Sequence, residues 1–216
     1  VPLGMKVLAR GIIFADLAVA QIAGLGVVIA GLAGYADHPP AVQLIAVASA
    51  LAGAVLLAYI EHFLPEVREA SIGLLFVLAA SGSILLMSRD THAGEHLKDL
   101  LVGQILWVSD TQLLATAALS ASILAILRAF RRNLSSFAFY ALFALAVTAS
   151  VQLVGVYLVF ASLIVPALAT HKLRRRRAVT AYAIGVLGYA AGLLLSVWLD
   201  LPAGARGLLA ADRALG

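Results

Sequence analysis

Residues 11–34 read GIIFADLAVAQIAGLGVVIAGLAG with a single charged side chain, and the stretches 40–60, 70–88, 108–127 and 178–199 are of the same apolar kind. At about 1.5 Å of rise per residue each is long enough, as a helix, to cross a hydrocarbon core roughly 30 Å thick. Lipid offers no water to a backbone N–H or C=O, so segments of this sort must be helices that satisfy their own backbone. The whole chain agrees with that reading. Of its 216 residues 63% are hydrophobic and 12% charged, and the mean hydropathy is +1.04. Soluble domains are nearer half apolar and a quarter charged, so a soluble fold is excluded. An all-α, polytopic integral membrane protein is expected, a single domain over 1–216. The absence of cysteine removes disulfides, iron–sulfur clusters and thiolate zinc sites, so any metal must meet oxygen or imidazole.

A sixth apolar stretch, 137–170, is too long for one crossing and short for two full ones. Gln152 and Gly155 lie near its middle and Pro166 near its end, which predicts a short or broken hairpin. Charge decides between one crossing and two. Basic clusters flank the stretch at Arg128, Arg131, Arg132 and at Lys172, Arg174, Arg175, Arg176, Arg177, and both belong on the cytoplasmic side. Two crossings put those eight residues with Lys6, Arg10 and Arg68, eleven of the fifteen basic residues, on one face; one crossing would scatter them. About seven crossings are therefore expected, in the cell (inner) membrane. The net charge of +4 is explained by this orientation signal, and no nucleic-acid partner is expected. The opening VPLGMKVLAR has no apolar core followed by a small-residue cleavage site, so no cleavable signal peptide is read there.

Few side chains break the apolar pattern. Asp16 does so most sharply, because an aspartate near mid-bilayer costs about 2.5–3.5 kcal/mol on insertion scales. Two readings stand: it faces an aqueous path and meets a passing cation, or it lies near the cytoplasmic end and pairs with Arg10 or a cap. Gln21 is five residues on, about 140° around a helix, so one ligand could touch both only with help from a distortion or other helices. Small residues crowd this helix (Ala15, Ala18, Ala20, Ala23, Gly24, Gly26, Ala30, Gly31) and let neighbours approach closely. The loop SRDTHAGEHLKD, which parity places outside, holds Asp90, His92, Glu95, His96 and Asp99. Imidazole with carboxylate suits zinc or manganese, and a solvated loop is the other reading. His92, Glu95 and His96 also spell H-x-x-E-H, an order used by zinc peptidases, but an enzyme would need a further ligand from a later helix. No G-x-x-x-x-G-K-[ST] loop occurs, so hydrolysis of ATP must fall to another chain.

Several stretches, in order along nearly the whole chain, resemble the membrane permease family of ATP-binding-cassette importers for zinc, manganese and iron. They are LARGIIFADLAVAQIAGLG (8–26), EASIG (69–73), GEHLKDLLVGQILWVSDTQL (94–113), SVQLVGVYLVFASLIVPALAT (150–170) and DLPAGA (200–205). The resemblance implies a transport subunit and not an enzyme: a homodimer in the bilayer, two cytoplasmic ATPase subunits, and an extracytoplasmic metal-binding protein on the outer face. No bound cofactor is implied beyond the transported zinc, manganese or iron. Many members place an Asp and a His four apart in the early helix; here Asp16 is followed by Ala20, and the polar residue is Gln21. The family's coupling segment usually carries a Phe-Asp pair, and RRNLSSFAF (131–139) has no acid. The tail RGLLAADRALG (206–216) is polar, so a chain shortened by a first and a last span is expected.

The expected function is import of a divalent transition metal, zinc foremost, by alternating access. Its ligands would be Asp16, Gln21, Asp90, His92, Glu95 and His96. The rivals are an ion-coupled secondary transporter and an intramembrane zinc peptidase. The cysteine-free chain makes the topology directly testable. Single cysteines introduced as Arg131→Cys and Arg175→Cys should react with an impermeant maleimide from the cytoplasmic side only; labelling from opposite sides would remove the second crossing of 137–170.

Overall fold

A computed structural model describes residues 2–88, 109–130, 134–173 and 176–198, with 193–198 as backbone alone. Among the described residues every regular element is a helix. They are α1 (Pro2–Arg10), α2 (Ala15–Ala30, extended by a π-turn at Gly31–Tyr35), α3 (Pro39–Phe63), α4 (Arg68–Met87), α5 (Asp110–Ala129), α6 (Ser136–Val154), α7 (Val156–Ala169) and α8 (Arg177–Trp198). Among the described residues five segments are long and apolar enough to cross a membrane: Ala15–Tyr35, Pro39–Phe63, Pro65–Met87, Asp110–Ala129 and Ser136–Val154. The expected all-α, polytopic membrane protein is what the structure shows.

Helix starts follow local chemistry. Ser109 and Gln112 form a reciprocal capping box on α5: the Ser109 hydroxyl accepts from the Gln112 amide at 3.3 Å, and Gln112 Oε1 accepts from the Ser109 amide at 3.3 Å. Ser135 caps α6 by accepting from the Ala138 amide at 3.2 Å. Pro39 opens α3, where its missing N–H removes no bond.

The core is built around α2, which packs against α3, α4 and α6 and also reaches α7. Its buried positions are mostly Ala and Gly, and the consequence is visible at α3. A side chain at Gly26 would collide with Ser49, and one at Gly53 of α3 would lie 2.8 Å from Ile22 Cδ1. Removing β-carbons lets each backbone meet the side chains of the other helix directly, the packing that substitutes for a hydrophobic driving force between helices in lipid. Above this contact Phe139, Tyr140 and Phe143 of α6 fill the larger spaces, all fully buried. Outward positions such as Leu44, Leu85 and Leu114 are 70%, 72% and 70% exposed. Such a surface suits hydrocarbon and would aggregate in water.

The stretch 137–170 is two helices broken at Gly155, where φ is 80° and ψ 164°. That conformation is open almost only to glycine, because a β-carbon there clashes with the backbone. The amide of Gly155 still donates to Val151 O at 2.8 Å, and its carbonyl accepts from Val159 at 3.2 Å, so one residue ends one ladder and begins the next. Pro166 sits inside α7 without ending it, and the freed last turn is closed by the Thr170 hydroxyl donating to Pro166 O at 2.7 Å. Gln152 is exposed. The break expected near Gly155 is present, and α7 is a shorter apolar helix of 14 residues.

Gly155→Ala should lower the stability of the folded protein by about 1–3 kcal/mol, the typical strain of a forbidden backbone region. Gly73→Ala, in a helical backbone with open space around it, should be neutral or slightly stabilising. Denaturation midpoints of the two variants in lipid or detergent would show it; equal midpoints would contradict the strain argument.

Candidate functional site

Five helix ends converge where α1 turns into α2, and Arg10, Asp16, Glu61 and Glu69 gather at this end. Arg10, the last residue of α1, donates through Nη1 to both carboxylate oxygens of Glu61 on α3, at 3.1 and 3.0 Å. The same nitrogen reaches Ser136 Oγ of α6 at 3.4 Å. The guanidinium lies flat over Phe139, 4.2 Å from the ring centroid, and near Tyr140 at 5.9 Å. One cation thus ties α1, α3 and α6 together, with ring faces on one side and an anion on the other. The side chains of Arg10 and Glu61 are 26% and 17% exposed, so the pair is shielded more than a surface bridge.

The start of α2 is held differently. Phe14, at the N-cap position, has no side-chain cap of its own kind; Glu69 from the first turn of α4 supplies one, accepting from the Phe14 amide at 3.0 Å. A carboxylate at a helix N-terminus meets unpaired N–H groups and the positive end of the dipole, both favourable. Phe14 also stacks on Phe160 of α7, centroids 6.3 Å apart and planes parallel.

Asp16 lies in the first turn of α2 and is 2% exposed. Its Oδ1 accepts from the Leu17 amide at 2.9 Å, while Oδ2 is buried with no partner. Arg10, the cation nearest in sequence, is engaged by Glu61 instead. Among the described residues no salt bridge reaches Asp16. An unsatisfied buried carboxylate oxygen is costly, and it marks a place where a cation, a proton or water completes the structure. Glu69 Oε2, Tyr140 OH and Thr148 Oγ1 are likewise buried and unpartnered. Gln21, on the same helix, is half-buried, whereas Asp16 is fully enclosed. Asp90, His92, Glu95 and His96 lie outside the described residues. Among the described residues no group of three or more His, Asp or Glu side chains is gathered for a metal.

Sequence reasoning places Asp16 in a membrane helix but misses Glu69 and Glu61 as partners. Their hydrogen bonds span 55 and 51 residues, and only the recurrence of isolated charges at helix ends hinted at them.

Comparison with known proteins fits this architecture. The model of the ABC 3 transport family matches residues 1–141 and 133–212. A manganese transport system membrane protein, MntC, of Halalkalibacterium halodurans is 29% identical over 232 residues, covering 97% of this chain and 78% of the relative. Among solved structures, PsaBC from Streptococcus pneumoniae in complex with Fab superposes with a TM-score of 0.71 at 21% identity, over 98% of this chain and 82% of the other.

Arg10→Ala should lower stability by about 1–3 kcal/mol, as expected when charged hydrogen bonds are lost from a shielded pair. Arg10→Lys, which keeps the charge but not the planar stack, should recover only part of it. Thermal midpoints of both variants and of Glu61→Gln test this; an unchanged midpoint for Arg10→Ala would show that the pair is decorative.

Proposed function

The chain belongs to the ABC 3 transport family, and from that membership we propose that it is the membrane-spanning subunit of an importer for a divalent transition metal. The observation that carries the reading to a residue is Asp16: an enclosed carboxylate with one free oxygen, on the helix at the centre of a polytopic membrane bundle. A pathway for a cation needs an anionic group that lipid alone would expel, and this is the residue that supplies it. A carboxylate is a hard donor that suits manganese, and the similar protein of Halalkalibacterium halodurans is named for manganese. Zinc is the alternative cargo, and it would draw on His92 and His96 of the outer loop. Gln21, Asp90 and Glu95 complete the proposed set of ligands.

The chain is expected to cross the membrane seven times, with α6 and α7 forming the two crossings of 137–170. Energy would come from a separate cytoplasmic ATPase, and cargo from an extracytoplasmic metal-binding protein. A second copy of the chain would complete a homodimer. Alternating access would then open the path first outward and later to the basic end, with the polar segment 61–69 and the loop at 128–136 receiving the ATPase. Neither the ion-coupled secondary transporter nor the zinc peptidase gains support from the family match.

Asp16→Asn keeps the shape of the side chain and removes its charge. Cellular accumulation of manganese and zinc should fall at least about tenfold, the low end of what disturbing a metal's surroundings does elsewhere, with the protein still present in the membrane. Normal accumulation at normal expression would take Asp16 out of the pathway.

A further inference from the structure

The first turn of α2 is gripped by two carboxylates, and each is used only by half. Asp16 Oδ1 accepts from the Leu17 amide at 2.9 Å, and Glu69 Oε1 accepts from the Phe14 amide at 3.0 Å. Those two amides are three residues apart, on the order of 5 Å along a helical turn. The remaining oxygens, Asp16 Oδ2 and Glu69 Oε2, are both buried and both without a partner, and Asp16 is 2% exposed.

Among the described residues no salt bridge reaches either carboxylate. Arg10 is held by Glu61. Arg68, beside Glu69, directs its guanidinium at the turn around Gly11, where a β-carbon would be 3.4 Å from Nη2. The amide ends of α2 offset part of one negative charge at most. Neither acceptor can satisfy the other, so a cation, a proton or water must complete each buried oxygen, and a single divalent cation can serve both. An oxygen-preferring divalent ion can take a carboxylate through a single oxygen and fill other positions with water.

We propose that Glu69 is a second protein ligand, together with Asp16, for the divalent cation at the basic end of α2. The proposal rests on the metal-permease reading above. It gives Glu69 two tasks on two oxygens: Oε1 fixes the start of α2, and Oε2 meets the cargo. Loading the site therefore couples the cation to the junction of α2 with α4.

The two tasks can be separated. Glu69→Gln keeps an amide oxygen for the Phe14 N–H and removes the charge, while Glu69→Ala removes both. Equilibrium binding of Mn²⁺ to the full-length purified chain in lipid nanodiscs, followed by electron paramagnetic resonance, is the measurement. Glu69→Gln should weaken Mn²⁺ binding at least about tenfold with an unchanged thermal midpoint, and Glu69→Ala should lower the midpoint as well. Glu69→Gln combined with Asp16→Asn should weaken binding by a factor different from the product of the two single losses, since both serve one ion. Should Glu69→Gln prove unstable, Glu69→Asp keeps the charge but withdraws it by one methylene, and must also weaken binding. Wild-type affinity in a folded Glu69→Gln or Glu69→Asp protein overturns the proposal, leaving Glu69 as a cap only. If Asp16→Asn also retains wild-type affinity, or the wild type binds no Mn²⁺, it is the metal-path reading itself that fails.

Discussion

Close contact between α2 and α3 is the constraint from which the rest follows. Gly26 and Gly53 leave no room for a β-carbon, so the two helices meet backbone to side chain with neither water nor lipid between them. A helix enclosed in this way cannot carry a charge in its first turn unless its neighbours answer for it. Asp16 and the capping Glu69 are held by main-chain amides, and Arg10 is paired away at Glu61. The ion pair, the carboxylate cap and the enclosed Asp16 thus gather at one end of the bundle.

That gathering joins stability to transport. Residues that anchor helix ends include, or lie beside, the ligands proposed above. Arg10 holds α1, α3 and α6; Glu69 holds α2 to α4. A movement that separates these helices would break charged hydrogen bonds, while one that carries them together would not.

Much of this was legible in the sequence where local physics decides. The apolar stretches mark the spans within a few residues, and the break in 137–170 falls at Gly155 because only glycine takes φ 80° with ψ 164°. Asp16 stands out because lipid penalises charge whatever the fold. What stayed hidden depends on partners distant along the chain. One sequence reading offered Arg10 to Asp16 because they are six residues apart, but Glu61 takes it from 51 residues away. Glu69 reads as a polar loop residue until the fold sets its carboxylate on the amide of Phe14.

The helix α7 has 14 residues and would reach about 21 Å, well short of a hydrocarbon layer of roughly 30 Å. Were it to cross, the bilayer would have to thin beside it or neighbouring helices would have to cover the difference. On the seven-crossing reading proposed above, the membrane voltage would then fall across a thinner layer there than elsewhere around the molecule.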